Sequence, residues 1–95
     1  MTVMATTATQ QPLNTRVDKL IRKAMNRRLS TTSLGRALKD AINEVAANLQ
    51  VEARDKGWER HEIQGIRHFT LKTGAAVAFD LVAAGYMTAD EFRAA

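Results

Sequence analysis

The side chains in this sequence best placed to do chemistry are cations. Between Arg16 and Lys39 stand eight Lys or Arg residues (Arg16, Lys19, Arg22, Lys23, Arg27, Arg28, Arg36 and Lys39), opposed only by Asp18. Like charges crowded together repel, and such a cluster commonly marks a surface that meets a polyanion. On a helix, Arg16, Lys19, Arg22, Lys23 and Arg27 form a band opposite the apolar spacing of Val17, Leu20, Ile21, Ala24 and Met25. The apolar set already explains how that helix packs, so the fold does not require the charges. Arg28 falls near the apolar face, where its stem can snorkel. Arg36 and Lys39 extend the patch beyond a polar break at Ser30–Ser33.

Other chemistry is sparse. His61 and His68 are the only histidines and there is no cysteine. Glu62 follows His61, but Gly65 stands where a zinc-protease helix would place its second histidine, so no metal site is expected. The five glycines are scattered, which leaves no phosphate-cradling loop and no nucleophile elbow. Asp90 and Glu91 are explained by a helix start. Asp80, inside an otherwise apolar helix, calls for an Arg partner or a place at the helix edge. The expectation is a non-catalytic protein without cofactor.

A helix-turn-helix is a weaker candidate. Ala53, Gly57, Ile63 and Ile66 have the spacing of that motif's packing alanine, turn glycine and paired apolar residues. Glu52 and Lys56 depart from it, and the helix after the turn would present Glu59, Arg60, Glu62 and Arg67 to DNA. Gly57 also reads simply as a helix stop. The aromatics Trp58, Phe69, Phe79, Tyr86 and Phe92 are too dispersed for a base-stacking platform. Trp58, next to a helix end, is a candidate anchor for a protein partner.

Helical elements must position these residues. The chain has 95 residues and a formal net charge of +4, enough for one domain with one modest core. Residues 16–39 sum to +7, residues 40–62 to −3 and residues 63–95 to 0, a dipole able to orient a charged partner. Residues 1–13 hold Thr, Ala, Gln and one proline without charge, and read as a flexible, disordered arm ahead of a single helical domain at 14–95. Helix 1 is expected over about Thr15 to Leu29, capped by Asn14 or Thr15. Thr32 or Ser33 caps a second helix of about 22 residues carrying Leu34, Leu38, Ala41, Ile42, Val45, Leu49 and Ala53 on one stripe, with a possible break near Gln50 and a stop at Gly57.

Beyond it, Gly65 interrupts the pattern, so a short helix over Glu59–Gln64 and an irregular link are expected. A third helix from Leu71 or Thr73 to Ala84, apolar nearly all round, reads as the central one, with helices 1 and 2 packed across it. Thr88 and Glu91 form a capping box, flanked by Met87 and Phe92 as a hydrophobic staple, for a last short helix over Ala89–Ala94. The fold class is therefore all-α, a compact domain of four to five helices.

No apolar run reaches membrane-spanning length. Residues 1–33 are Ser/Thr-rich, basic and nearly acid-free, as in a transit peptide. The helix they contain is also the best start for the core, so a cytoplasmic protein is expected. Two functions fit. The first is non-catalytic nucleic-acid binding through the helix 1 cations, as a small regulator or accessory factor. The second is a small inhibitor or adaptor, resembling those encoded by phages and plasmids, which docks on an acidic surface of a larger nucleic-acid-handling complex. A homodimer through helix 2 is compatible with both.

Overall fold

A computed structural model describes the chain from Pro12 to Ala95, with side chains from Asn14 onward. Among these residues there are four helices and no strand: α1 (Pro12–Arg28), α2 (Leu34–Asp55), α3 (Arg60–Ala83) and α4 (Ala89–Ala94). The arm expected over residues 1–13 falls mostly outside the described residues. Its last two positions, Pro12 and Leu13, open α1 instead. Proline suits a first helical turn because its φ is preset and its missing N–H would have no partner there. Asn14 and Thr15 consequently lie inside the helix rather than capping it.

The second helix matches its sequence signals. Ser33 is the N-cap, its Oγ accepting from the Arg36 N–H at 3.4 Å. The helix runs 22 residues without a break at Gln50; Val51 simply points outward, since the buried stripe bypasses it. Gly57, at φ +82°, ends it. The Trp58 N–H donates to the Ala53 carbonyl at 3.0 Å and the Gly57 N–H to the Arg54 carbonyl at 3.0 Å. This left-handed C-terminal turn favours glycine and satisfies the last carbonyls. The same turn closes α3, with Gly85 at φ +83° and the Tyr86 N–H donating to the Leu81 carbonyl at 2.9 Å.

Two expectations require correction. The short helix, irregular link and third helix are one continuous helix, α3, of 24 residues. A single glycine in a helix costs only about 1 kcal/mol relative to alanine, too little to break one that packs along its length. Its start is set by a capping box, in which Glu59 accepts from the Glu62 N–H while the Glu62 carboxylate accepts from the Glu59 N–H at 3.0 Å. Nor is α3 the centre. Both α2 and α3 pack against all three other helices, but α3 buries only Thr70, Gly74, Val77 and Ala78, whereas α2 buries eight residues. Among the described residues, no further element covers the outer side of α3.

The core is built from Val17, Ile21, Ala24 and Met25 of α1, Leu38, Ala41, Ile42 and Val45 of α2, and Val77 and Ala78 of α3, closed below by Met87. Two glycines permit the close approaches. A Cβ on Gly35 would come within 2.7 Å of the Glu91 carbonyl oxygen, and one on Gly74 would overlap the Ile42 side chain. Thr70, fully buried, donates its hydroxyl to the Ile66 carbonyl at 2.8 Å, which removes the cost of an unpaired polar group. Thr88 accepts from the Glu91 N–H at 3.1 Å, and Met87 and Phe92 both reach the core, as their staple pattern predicts.

Gly35→Ala should destabilise the fold by about 1–3 kcal/mol, because backbone must move to admit the methyl. Gly65→Ala, with nothing within 4 Å of its added Cβ, should stabilise it by about 0.5–1 kcal/mol. Urea titrations of the two variants test this; equal and opposite signs to those stated would show the α2–α4 contact to be loose.

Candidate partner-binding surface

The antiparallel packing of α1 on α2 brings acidic residues of the chain's middle onto the basic helix. Arg27 Nη2 lies 2.6 Å and Arg28 Nη2 2.5 Å from the two carboxylate oxygens of Glu44. Arg16 Nη2 lies 3.5 Å from Glu52, which also accepts from Lys56 at 3.1 Å. Arg28, with its stem against the core face, donates in addition to the Ala24 carbonyl at 3.1 Å. Arg22 is turned away from this cluster and pairs with Asp18 at 2.7 Å and Asp80 at 3.3 Å. Asp80 thus has the Arg partner its place in an apolar helix called for.

Beyond the break, Arg36 lies 3.8 Å from Asp40. Lys39 donates to the carbonyls of Arg93 and Ala95, each at 3.0 Å, and sits 5.4 Å from the centroid of the Phe92 ring. It ties α4 to α2. Among the described residues, only Lys19 and Lys23 of the eight cations have neither an ion pair nor a hydrogen bond from the side chain. At 100° per residue, Arg16, Lys19, Lys23 and Arg27 fall within an arc of about 80°, and Arg22 lies about 60° beyond its edge at Lys19. The continuous band of five is therefore a row of four with Arg22 on another edge.

Hydrogen bonds from Arg28 and then Arg27 hold the Glu44 carboxyl below the usual carboxylate range, against an opposing effect of partial burial. Glu52 is lowered chiefly by its hydrogen bond to Lys56, then by the charges of Lys56 and Arg16.

The sequence pattern does not disclose the cavity beside this row. Where α1 begins, α2 ends and α3 begins, a groove of about 320 Å³ opens to solvent. Val17, Leu49, Ala53, Ile66 and Phe69 form its floor, Trp58 a wall, and Arg16, Glu52, Lys56 and Glu62 its rim. Trp58 is 47% exposed, yet its backbone is fixed by the turn that ends α2. Gly65 lines the same groove, and a side chain there would narrow it. A second cleft of about 340 Å³ between α1 and α2 continues from Arg16, Leu49 and Glu52 past Leu20 and Lys23 to Arg27 and Glu44. Apolar hole and basic row thus form one surface.

Ala53, Gly57, Ile63 and Ile66, the residues with helix-turn-helix spacing, lie at the α2–α3 turn. Ala53 is buried and the two isoleucines are half-buried. His61 Nδ1 lies 3.4 Å from a Glu59 oxygen. Among the described residues no three His, Asp or Glu side chains converge as metal ligands, and no helix is long and apolar enough to cross a membrane. No protein-family model, curated protein or solved structure matches the chain.

A carboxylate whose pKa is lowered by folding adds stability above its unfolded pKa and loses it as pH falls through the folded one. Glu44→Gln should therefore lower stability at pH 7 by about 1 kcal/mol or less, given solvent screening. The difference should start to shrink as pH falls through the unfolded carboxylate range and vanish only below the lowered folded-state pKa. Denaturation curves from pH 7 down to the acid limit of folding measure it; a deficit that never shrinks in acid would mean that Glu44 acts by packing rather than charge.

Proposed function

We propose that this protein is a non-catalytic adaptor or inhibitor that docks on an acidic surface of a larger protein. An apolar side chain of that partner enters the Trp58 groove, and its flanking carboxylates meet Arg16, Lys19, Lys23 and Arg27. The observation that carries the reading is Trp58 itself, a large aromatic left half exposed on rigid backbone over an apolar floor. Aromatic anchors of this kind, bordered by charge, supply most of the affinity of protein interfaces. The neighbouring cations add speed and orientation of encounter more than affinity. The absence of cysteine suits a reducing compartment, and the cytoplasm is the proposed place of action.

Nucleic-acid binding through the same α1 row is the second reading, supported by Lys19 and Lys23 having no acidic partner among the described residues. It is the weaker one because Glu44 and Glu52 already stand against Arg16, Arg27 and Arg28. A phosphate backbone would have to displace those carboxylates or lie beside them.

The test compares wild type, Trp58→Ala and a Lys19→Glu/Lys23→Glu double variant in pull-downs with and without nuclease, alongside titration with duplex DNA and RNA at low salt. A nuclease-resistant protein partner should be lost by more than tenfold in Trp58→Ala and bound more slowly by the double variant. Gly65→Ala, although more stable, should bind that partner less well. Capture of nucleic acid alone, with affinity falling by a slope of about −0.9 per phosphate contact on logarithmic salt axes and indifferent to Trp58, would select the second reading instead.

A further inference from the structure

The Trp58 groove and the second cleft lie in line along the seam between α1 and α2, and the Arg16–Glu52 pair crosses the seam between them. The Arg27–Glu44 pair crosses it again at the far end of the cleft. Between these two pairs the floor is Leu20, Val45 and Leu49, with Lys23 of α1 on one rim and Asn48 of α2 on the other. Lys23 and Asn48 are both exposed. Among the described residues neither side chain has an ion pair or a hydrogen bond. An ammonium and an amide are both donors, so the acceptor this spot lacks is an anionic one. The charges lining the cleft, three cations against Glu44 and Glu52, leave one positive charge unbalanced.

We propose that the partner of the adaptor reading, on which this inference rests, docks by an acidic amphipathic α-helix laid along the α1–α2 seam. An apolar side chain of that helix fills the Trp58 groove, and a carboxylate one to two turns away sits between Lys23 and Asn48. The spacing follows from α2. Ala53 floors the groove, Val45 floors the cleft, and Leu49 belongs to both, so the two recesses are centred one to two turns apart, roughly 6 to 10 Å. Residues i and i+4 or i+7 of a helix span that step. Because the Arg16–Glu52 pair separates the recesses, one side chain cannot fill both.

Backbone chemistry selects a helix over an extended segment. The seam offers a ligand side chains only, since the amides of α1 and α2 are spent inside the helices and the described residues contain no strand edge. An extended segment pressed onto the apolar floor would bury its own N–H and C=O groups without partners. A helix pairs those groups within itself. Charge selects an acidic helix, because a basic one would set like charges against Arg16, Lys23 and Arg27. The seam from Arg16 to Arg27 is roughly 16 Å long at 1.5 Å per residue, which gives the docked helix about three turns of contact.

The probe is a capped, alanine-rich peptide of about 18 residues, long enough to form a helix. It carries a central phenylalanine and glutamates four and seven residues to either side, so that either direction along the seam is served. Trp58 is the only tryptophan of the chain, and its fluorescence reports binding to the full-length protein. The peptide should shift Trp58 emission to the blue and gain helical circular dichroism on binding. Lys23→Glu should weaken binding by roughly three- to tenfold, and Asn48→Lys should tighten it by a similar factor. Neither side chain has a bond to lose within the chain, so both variants should melt with wild type. A gain of affinity in Asn48→Lys cannot come from misfolding. No binding up to about 1 mM, equal binding by a peptide with a proline beside its phenylalanine or with lysines for glutamates, or an affinity indifferent to Asn48→Lys would overturn the helix. The titration needs no natural partner. A failed titration beside a nuclease-resistant partner that is lost in Trp58→Ala would therefore overturn the helix and leave the adaptor reading standing.

Discussion

Everything in this fold depends on α2 being buried along about half of its circumference at once. Gly35, Ala37, Leu38, Ala41, Ile42, Val45, Ala46 and Ala53 span that width at 100° per residue. Three of them are large and five are small, and the small ones let neighbours come close. Gly35 admits the backbone of α4, and on the facing helix Gly74 admits the Ile42 side chain. A helix with a narrower stripe could hold one neighbour. This one holds α1, α3 and α4 and needs no other element between them.

That constraint explains why the charged surface takes the form it does. Antiparallel packing runs α1 down as α2 runs up, so Arg16 near one end meets Glu52 and Arg27 near the other meets Glu44. Solvent-exposed pairs of this kind contribute little individually, and Glu44, shared by two arginines, is the best supported of them. Their larger consequence is electrostatic. Charge separated along the sequence becomes charge interleaved in space, and of the α1 cations Lys19 and Lys23 remain without acids among the described residues, in one row beside an apolar groove. A surface of mixed sign with an aromatic at its edge is more characteristic of protein recognition than of a phosphate track.

The outer side of α3 follows from the same arrangement. With α2 at the centre, α3 leaves Lys72, Ala75, Ala76, Phe79 and Ala83 exposed, although its second half has the composition of a buried helix. The groove at Trp58 and the face at Phe79 are separate surfaces.

Local signals in the chain were legible wherever they concerned neighbours in sequence. Ser33, Gly57, Gly85 and the Thr88 half of the Thr88–Glu91 pair mark helix ends through bonds that span three to five residues, the reciprocal Glu91 bond of a full box being absent, and the apolar spacing of α1 and α2 names their buried faces. The same locality misled at Pro12, where the helix begins earlier than its polar residues suggest, and at Gly65, where a helix-breaking residue is carried by packing on both sides. What no local pattern contains is which helix lies at the centre. Apolar content pointed to α3, but centrality depends on how wide a stripe is buried, and α2 buries eight residues against four in α3. The candidate site divides the same way. Arg16, Lys19, Lys23 and Arg27 are a helical row by periodicity alone, and Trp58 is conspicuous by type. That Glu44 and Glu52 stand against the arginines, and that Val17, Leu49, Ile66 and Phe69 meet beneath Trp58, depends on helix order and register. Those are set by the burial of whole faces, a property that no window of residues possesses.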